Sequence, residues 1–136
     1  ISQQIGSASA KASLSMTSDY TEGLSAQVSL SLKTECANIP GTATLYLNTT
    51  NVGTTSGTSS GILNGALKYT VVSGTSVLAN GVIDTNNKIP LVDNIDVSST
   101  TPTTYTVYVW LDGKVADNSY ANLSYLGYIS AEAVSK

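Results

Sequence analysis

The sequence predicts an all-β protein, a two-sheet sandwich of about seven to nine strands. Three observations predict it. Apolar and polar residues alternate with a period of two in several windows. Turn dipeptides recur between those windows at short, regular intervals. No window carries a helical stripe, because Gly, Thr and Val are spread through all of them.

Taken in order, the first alternation covers residues 7–16, with Ala8, Ala10, Ala12, Leu14 and Met16 on one register and Ser7, Ser9, Lys11, Ser13 and Ser15 on the other. The second is Leu24–Lys33, apolar at even positions and polar at odd ones, the pattern of a strand with one face on a core and one in water. Thr42–Asn48, Ala66–Ser73, Ser76–Ile83 and Ile89–Val97 are further strands. Between them lie Pro40-Gly41, Asn64-Gly65, Ser73-Gly74 and Asn86-Asn87 as turn signals, and Asn80-Gly81 as either a turn or a bulge within a strand. In Thr104–Leu111, Tyr105, Val107, Val109 and Leu111 share one face while Thr106, Tyr108 and Trp110 share the other. Bulk on both faces marks this strand as central or as partly covered on both sides. After the Asp112-Gly113 turn, Leu123–Val134 is the last strand. Residues 51–61, rich in Gly, Ser and Thr, read as a flexible loop inside one domain.

Composition removes whole classes of function. Six Lys, no Arg and a net charge of −3 give no basic stripe to neutralise phosphates, so nucleic acid is not an expected partner. No run approaches the ~20 apolar residues of a membrane-spanning helix. Hydrophobic residues reach 41% of the chain, enough for a core and against disorder. With no His, a Ser-His-Asp triad, a Cys-His pair and a histidine zinc site are all impossible. No acid–base pair suited to neutral pH remains, and the chain is not expected to be an enzyme or to need a cofactor.

The chain starts at Ile1 and not at Met, as expected of a secreted protein after leader removal. Two sequons, at Asn48 and Asn122, fit an extracellular surface that carries sugar. Cys36 is the only cysteine, which leaves a buried thiol or an intermolecular bridge. Asp84, Asn86 and Asn87, and then Asp93, Asn94 and Asp96, bring oxygen ligands together as calcium loops do, but match no EF-hand and read more simply as turns, so no metal is expected. Trp110 and Tyr108 form either a platform for a sugar or packing for a second layer. A Lys–Asn cross-link would need a buried lysine beside an acid; Lys33 is on a polar register and Lys68 is undecided.

The alternation at 7–16 has two readings. It is the first strand of the chain's own sandwich, or a strand with small apolar knobs that slides into a neighbouring subunit and completes its sheet. Repeated head to tail, that exchange builds an open polymer.

From Gly65 onward the order of features is familiar. Residues 65–71 (Gly-Ala-Leu-Lys-Tyr-Thr-Val) precede Ala79-Asn80-Gly81-Val82-Ile83 and Ile89-Pro90-Leu91; Thr104-Tyr-Thr-Val-Tyr-Val-Trp110-Leu-Asp-Gly113 follows, and Tyr125-Leu-Gly127-Tyr-Ile129 leads to Ala133. Over residues 65–136 the chain resembles the TasA/camelysin-like secreted fibre proteins and the similar archaeal bundling-pilus subunits. The resemblance implies a jelly-roll-like sandwich exported through a signal peptide and polymerised by donor-strand exchange. By position, residues 1–16 are then the donor strand, with Ala8, Ala10, Ala12, Leu14 and Met16 entering the next subunit, and 17–136 the sandwich domain. The metallopeptidase label attached to camelysin is not inherited, since the chain has neither His nor HExxH.

The expected function is therefore that of a structural subunit of an extracellular filament, a pilus or biofilm-matrix fibre. Its partners are other copies of itself, and a surface poor in charge favours lateral bundling. Two rivals stand beside it: a monomeric extracellular binding module and a viral coat or decoration subunit.

Overall fold

The computed structural model describes residues 2–7, 14–32, 38–54, 57–58, 65–117, 120 and 122–135. Ten strands follow one another in them: β1 (Ser2–Gly6), β2 (Met16–Thr17), β3 (Leu24–Leu30), β4 (Gly41–Thr54), β5 (Gly57–Thr58), β6 (Leu67–Ser73), β7 (Ser76–Val82), β8 (Lys88–Val97), β9 (Thr103–Asp112) and β10 (Ser124–Ser135). A 3-10 turn covers Tyr20–Glu22, its start capped by the Asp19 carboxylate, which accepts from the Thr21 amide.

Alternation decides how each strand lies. In β3, Ala26, Val28 and Leu30 are buried while Ser25, Gln27 and Ser29 face water. In β9, Tyr105, Val107, Val109 and Leu111 are buried on the same principle. β9 is central, with β3 paired to one side and β6 to the other, as its two bulky faces predict. β10 and β8 flank β4 in the same way, and β1 adds outside β10.

Leaving aside the two-residue β2 and β5, one sheet has the order β1-β10-β4-β8 and the other β3-β9-β6-β7. Among these eight strands each connection crosses from sheet to sheet except β6–β7, a local hairpin. Two four-stranded sheets wound in this order form a jelly roll. The core between them includes Leu45, Leu47, Leu67, Val71, Val107, Val109 and Ile129, all fully buried. Among the described residues, no buried side-chain nitrogen or oxygen lacks a hydrogen-bond partner.

Three details differ from the sequence reading. β4 does not stop at Asn48; it runs on to Thr54, because β10 is long enough to ladder against Asn51, Val52 and Gly53 as well. Val52 is buried there, so part of the Gly/Ser/Thr-rich stretch is strand and not loop. Asn80-Gly81 is neither turn nor bulge, since both pair regularly with Thr70 and Tyr69; the ladder slips at Leu78, which has no partner between Val77 and Ala79. The β6–β7 hairpin turns on Gly74-Thr75, at the Ser73-Gly74 signal read from the sequence, with Gly74 at φ 62, a left-handed conformation natural to glycine at the first centre of a two-residue turn. Finally, the first strand begins earlier than the alternation at residue 7 suggests.

Candidate functional site

β1 forms one edge of its sheet, pairing Ser2 through Gly6 antiparallel with Ser130 back through Leu126 of β10. Of its five residues only Ile5 is buried, at 1% exposure, and it enters the core opposite Gly127. The next residue fixes the register. Gly6 has φ 81, and a Cβ placed there would lie 2.1 Å from the Tyr125 carbonyl oxygen and 3.0 Å from Leu24 Cδ1. Only glycine tolerates both that dihedral and that approach. The Ser7 amide then donates to the same Tyr125 carbonyl at 2.9 Å.

The receiving surface is built around a tyrosine. Tyr125 is buried and its hydroxyl lies 3.0 Å from Thr49 Oγ1. Burial pushes its phenol up to about 12 from the ordinary 10.0, and the Thr49 hydrogen bond only partly offsets this. The phenol fills the space beside Gly127, where a Cβ would meet Tyr125 Oη at 2.5 Å and the Asn48 carbonyl at 2.6 Å. Gly127, opposite Ile5, and the Tyr125 phenol beside it thus form the seat of β1, with Leu24 against Gly6.

Of the five knobs nominated from the sequence, Leu14 and Met16 are among the described residues. Ala8, Ala10 and Ala12 lie outside the described residues, as does Cys36. Leu14 is half-buried against the core, and its amide donates to the Leu123 carbonyl at 2.8 Å. Met16 is 51% exposed and pairs, parallel, with Leu111 of β9. The Leu14 amide thus bonds just before the start of β10, while Met16 ladders on β9 in the other sheet; the Ser7 and Leu14 amides bond to carbonyls two residues apart, those of Tyr125 and Leu123. Of the described N-terminal residues, Ser2–Gly6 pair with β10 and Met16–Thr17 with β9. Ile5 and Gly6 are the residues that sequence reasoning missed.

The two sequons also separate. Asn48 is buried, and its Nδ2 donates to the Tyr128 carbonyl at 3.2 Å and lies 2.9 Å from Ser130 Oγ, where it donates again. A sugar on that nitrogen would displace this network. Asn122 is exposed, in a left-handed conformation with φ 55, and is the more accessible of the two.

Both outer faces carry a lysine, a carboxylate and an aromatic ring. On one sheet Lys88 Nζ is 2.8 Å from Glu132 and 4.4 Å from the Tyr46 ring centre. On the other, Lys68 Nζ lies 2.6 Å from Asp112 Oδ2 and 5.6 Å from the Trp110 ring centre. The hydrogen bond from Lys68 holds the Asp112 carboxyl below its usual range, helped by the Lys114 amide. Tyr108 meets Tyr20 edge to face at 5.1 Å, which is packing of a second layer. The acidic turns close on themselves: Asp84 Oδ1 accepts from the Asn86 amide, Asn86 Oδ1 from the Lys88 amide, and Asp96 Oδ2 from Ser98. Among the described residues no three His, Cys, Asp or Glu side chains converge as a metal would require, and no helix is long and apolar enough to cross a membrane.

Comparison with family models, with curated proteins and with solved structures finds no match to this chain.

Proposed function

We propose that the protein is the structural subunit of an extracellular filament, of pilus or biofilm-matrix type, polymerised by handing its first strand to another copy. The observation that carries this reading is the seat of β1. A five-residue edge strand contributes one deeply buried side chain, Ile5, and one register lock, Gly6, to a jelly roll whose other strands form the remainder of both sheets. In the single chain the strand occupies its own seat; in the polymer the same contacts form between copies, the low-cost exchange of an identical element.

Reach and energy are compatible with such an exchange. Residues 7–15 separate β1 from β2, and fully extended they span about 30 Å. Burying one Ile is worth about 1.5–3 kcal/mol and each ladder hydrogen bond a net 0.5–1.5 kcal/mol. An empty seat would therefore be costly, and a strand from a neighbour fills it as well as the chain's own. The surface supports bundling of such filaments through its low charge. Its role is structural and not enzymatic.

The test places cysteines at Gln4 and Tyr128, directly opposite each other and both exposed, in a Cys36→Ser background. Oxidation of assembled material should give a covalent ladder of dimers and higher multimers, and oxidation before assembly should trap monomers that no longer form fibres in negative-stain micrographs. Assembled fibres in which all cross-links are intramolecular would falsify strand exchange. A protein that stays monomeric at every concentration sinks the filament reading altogether.

A further inference from the structure

A shallow cleft of about 310 Å³ opens on the outer face of the β3-β9-β6-β7 sheet, lined by Lys68, Tyr69, Asn80, Gly81, Val82 and Trp110. The ladder explains its shape: Trp110, Lys68 and Val82 are cross-strand neighbours on β9, β6 and β7, and Thr70 and Asn80 pair one step along the same face. Trp110 forms one wall and Val82 the other, with Lys68 between them.

Two of the lining side chains, Trp110 and Asn80, are joined through the buried Thr70 in a relay of hydrogen bonds whose direction is forced. An indole nitrogen can only donate, so Trp110 Nε1–H gives its proton to Thr70 Oγ1 at 3.1 Å. The Thr70 hydroxyl must then donate onward, and it does so to Asn80 Oδ1 at 2.7 Å. With Oδ1 engaged, Asn80 offers the cleft its Nδ2 amide, a pair of donors held beside an aromatic wall. Thr70 is 1% exposed despite lying on an outer face, so the relay is sheltered and its geometry fixed.

The electrostatics select against anions. Lys68, the cation nearest the cleft, has its ammonium 2.6 Å from the Asp112 carboxylate, and the pair is neutral as a unit. An aromatic wall, an apolar wall, a fixed amide donor and no net charge suit a ligand with an apolar C–H face, hydroxyl or ether acceptors at its rim and no ionised group. We infer that this cleft binds a neutral saccharide, with the sugar's C–H face on Trp110 and an oxygen acceptor on Asn80 Nδ2. This inference stands apart from the filament reading and holds for a monomer as well as a polymer.

Trp110 is the only tryptophan in the chain, so its fluorescence reports on this one cleft. The purified protein is titrated with neutral hexasaccharides of the glucan, mannan, xylan and chitin types, and with an acidic polygalacturonate oligomer. At least one neutral sugar should shift Trp110 emission saturably, and the acidic one should not. In calorimetry Asn80→Ala, at an exposed position, should weaken binding about fivefold, one net hydrogen bond's worth. Trp110→Ala should remove binding, while Trp110→Phe, which keeps a ring, should retain part of it. Tyr46→Ala on the opposite sheet should change nothing. The inference is overturned if no neutral sugar perturbs Trp110 at millimolar concentration, or if the binding found survives both Asn80→Ala and Trp110→Ala.

Discussion

The two strands at opposite corners of the sandwich, β1 and β7, make an instructive pair. Both are edge strands, and both leave one row of backbone groups unpaired by their own sheet. By hydrophobicity β7 is the obvious sticky edge: Val77, Leu78 and Val82 are all more than two-fifths exposed and Ser76–Val82 holds no charge. β1 is nearly all Ser and Gln on its surface. Yet β7 is anchored by a two-residue turn to β6, and its ladder slips at Leu78, a distortion that bends an edge away from easy pairing. β1 is followed by a long connection and is keyed to its seat by Ile5 and Gly6. On the proposed exchange, β1 is marked out by its connection and its key, and not by how greasy its exposed surface is.

The comparison breaks most easily at the key. Gly6→Ala forces a Cβ against the Tyr125 carbonyl at a positive φ, and should destabilise the chain by about 3–4 kcal/mol in urea unfolding while abolishing fibres. Ile5→Ala should cost about 2–5 kcal/mol by the same measurement, through lost burial and the cavity it leaves. Both effects should appear in the soluble monomer, because β1 occupies its seat there too.

The seat itself is probed by alkali. The Tyr125 phenol is raised from 10.0 to about 12, so folding favours its neutral form. That contribution is whole below pH 10 and is lost as the pH rises towards 12. A shift of this size corresponds to roughly 2–3 kcal/mol of stability disappearing across that window. Denaturant midpoints measured from pH 9 to 12 should show the loss in the parent chain, and Tyr125→Phe should remove most of it. At the other corner, Val77→Lys should move stability by less than about 0.5 kcal/mol and leave fibres intact in micrographs, because Val77 is already half in water. Loss of fibres from that variant would instead place the assembly edge at β7.

The sandwich was readable because its strong strands are long and half-buried. β3 and β9 repeat the two-residue period over seven and ten residues, and burial follows the repeat residue by residue. β1 was not readable, for a physical reason: Ser-Gln-Gln-Ile-Gly contains a single apolar residue, and one point cannot show a period. The alternation from residue 7 is perfect in sequence, and residues 8–13 lie outside the described residues; at its end Leu14 bonds to Leu123, just before β10, and Met16 pairs with β9. The relay beneath Trp110 was half legible. An aromatic on the second face of a central strand was visible, but Thr70 and Asn80 reach it only through pairing across three strands. Asn80-Gly81, which looks like punctuation, is regular strand because Tyr69 lies where a side chain at 81 would go.

The antiparallel register between β1 and β10 has a mechanical side. Because the five residue pairs run along the strand axis, tension applied along that axis loads them together in shear, and none can be peeled away ahead of the rest. Ile5, buried in the core at the fourth of the five pairs, adds a detent that must be drawn out before the strand slides. A fibre joined through such couplings would yield abruptly at a threshold force, like a bolt shearing, with little stretch beforehand.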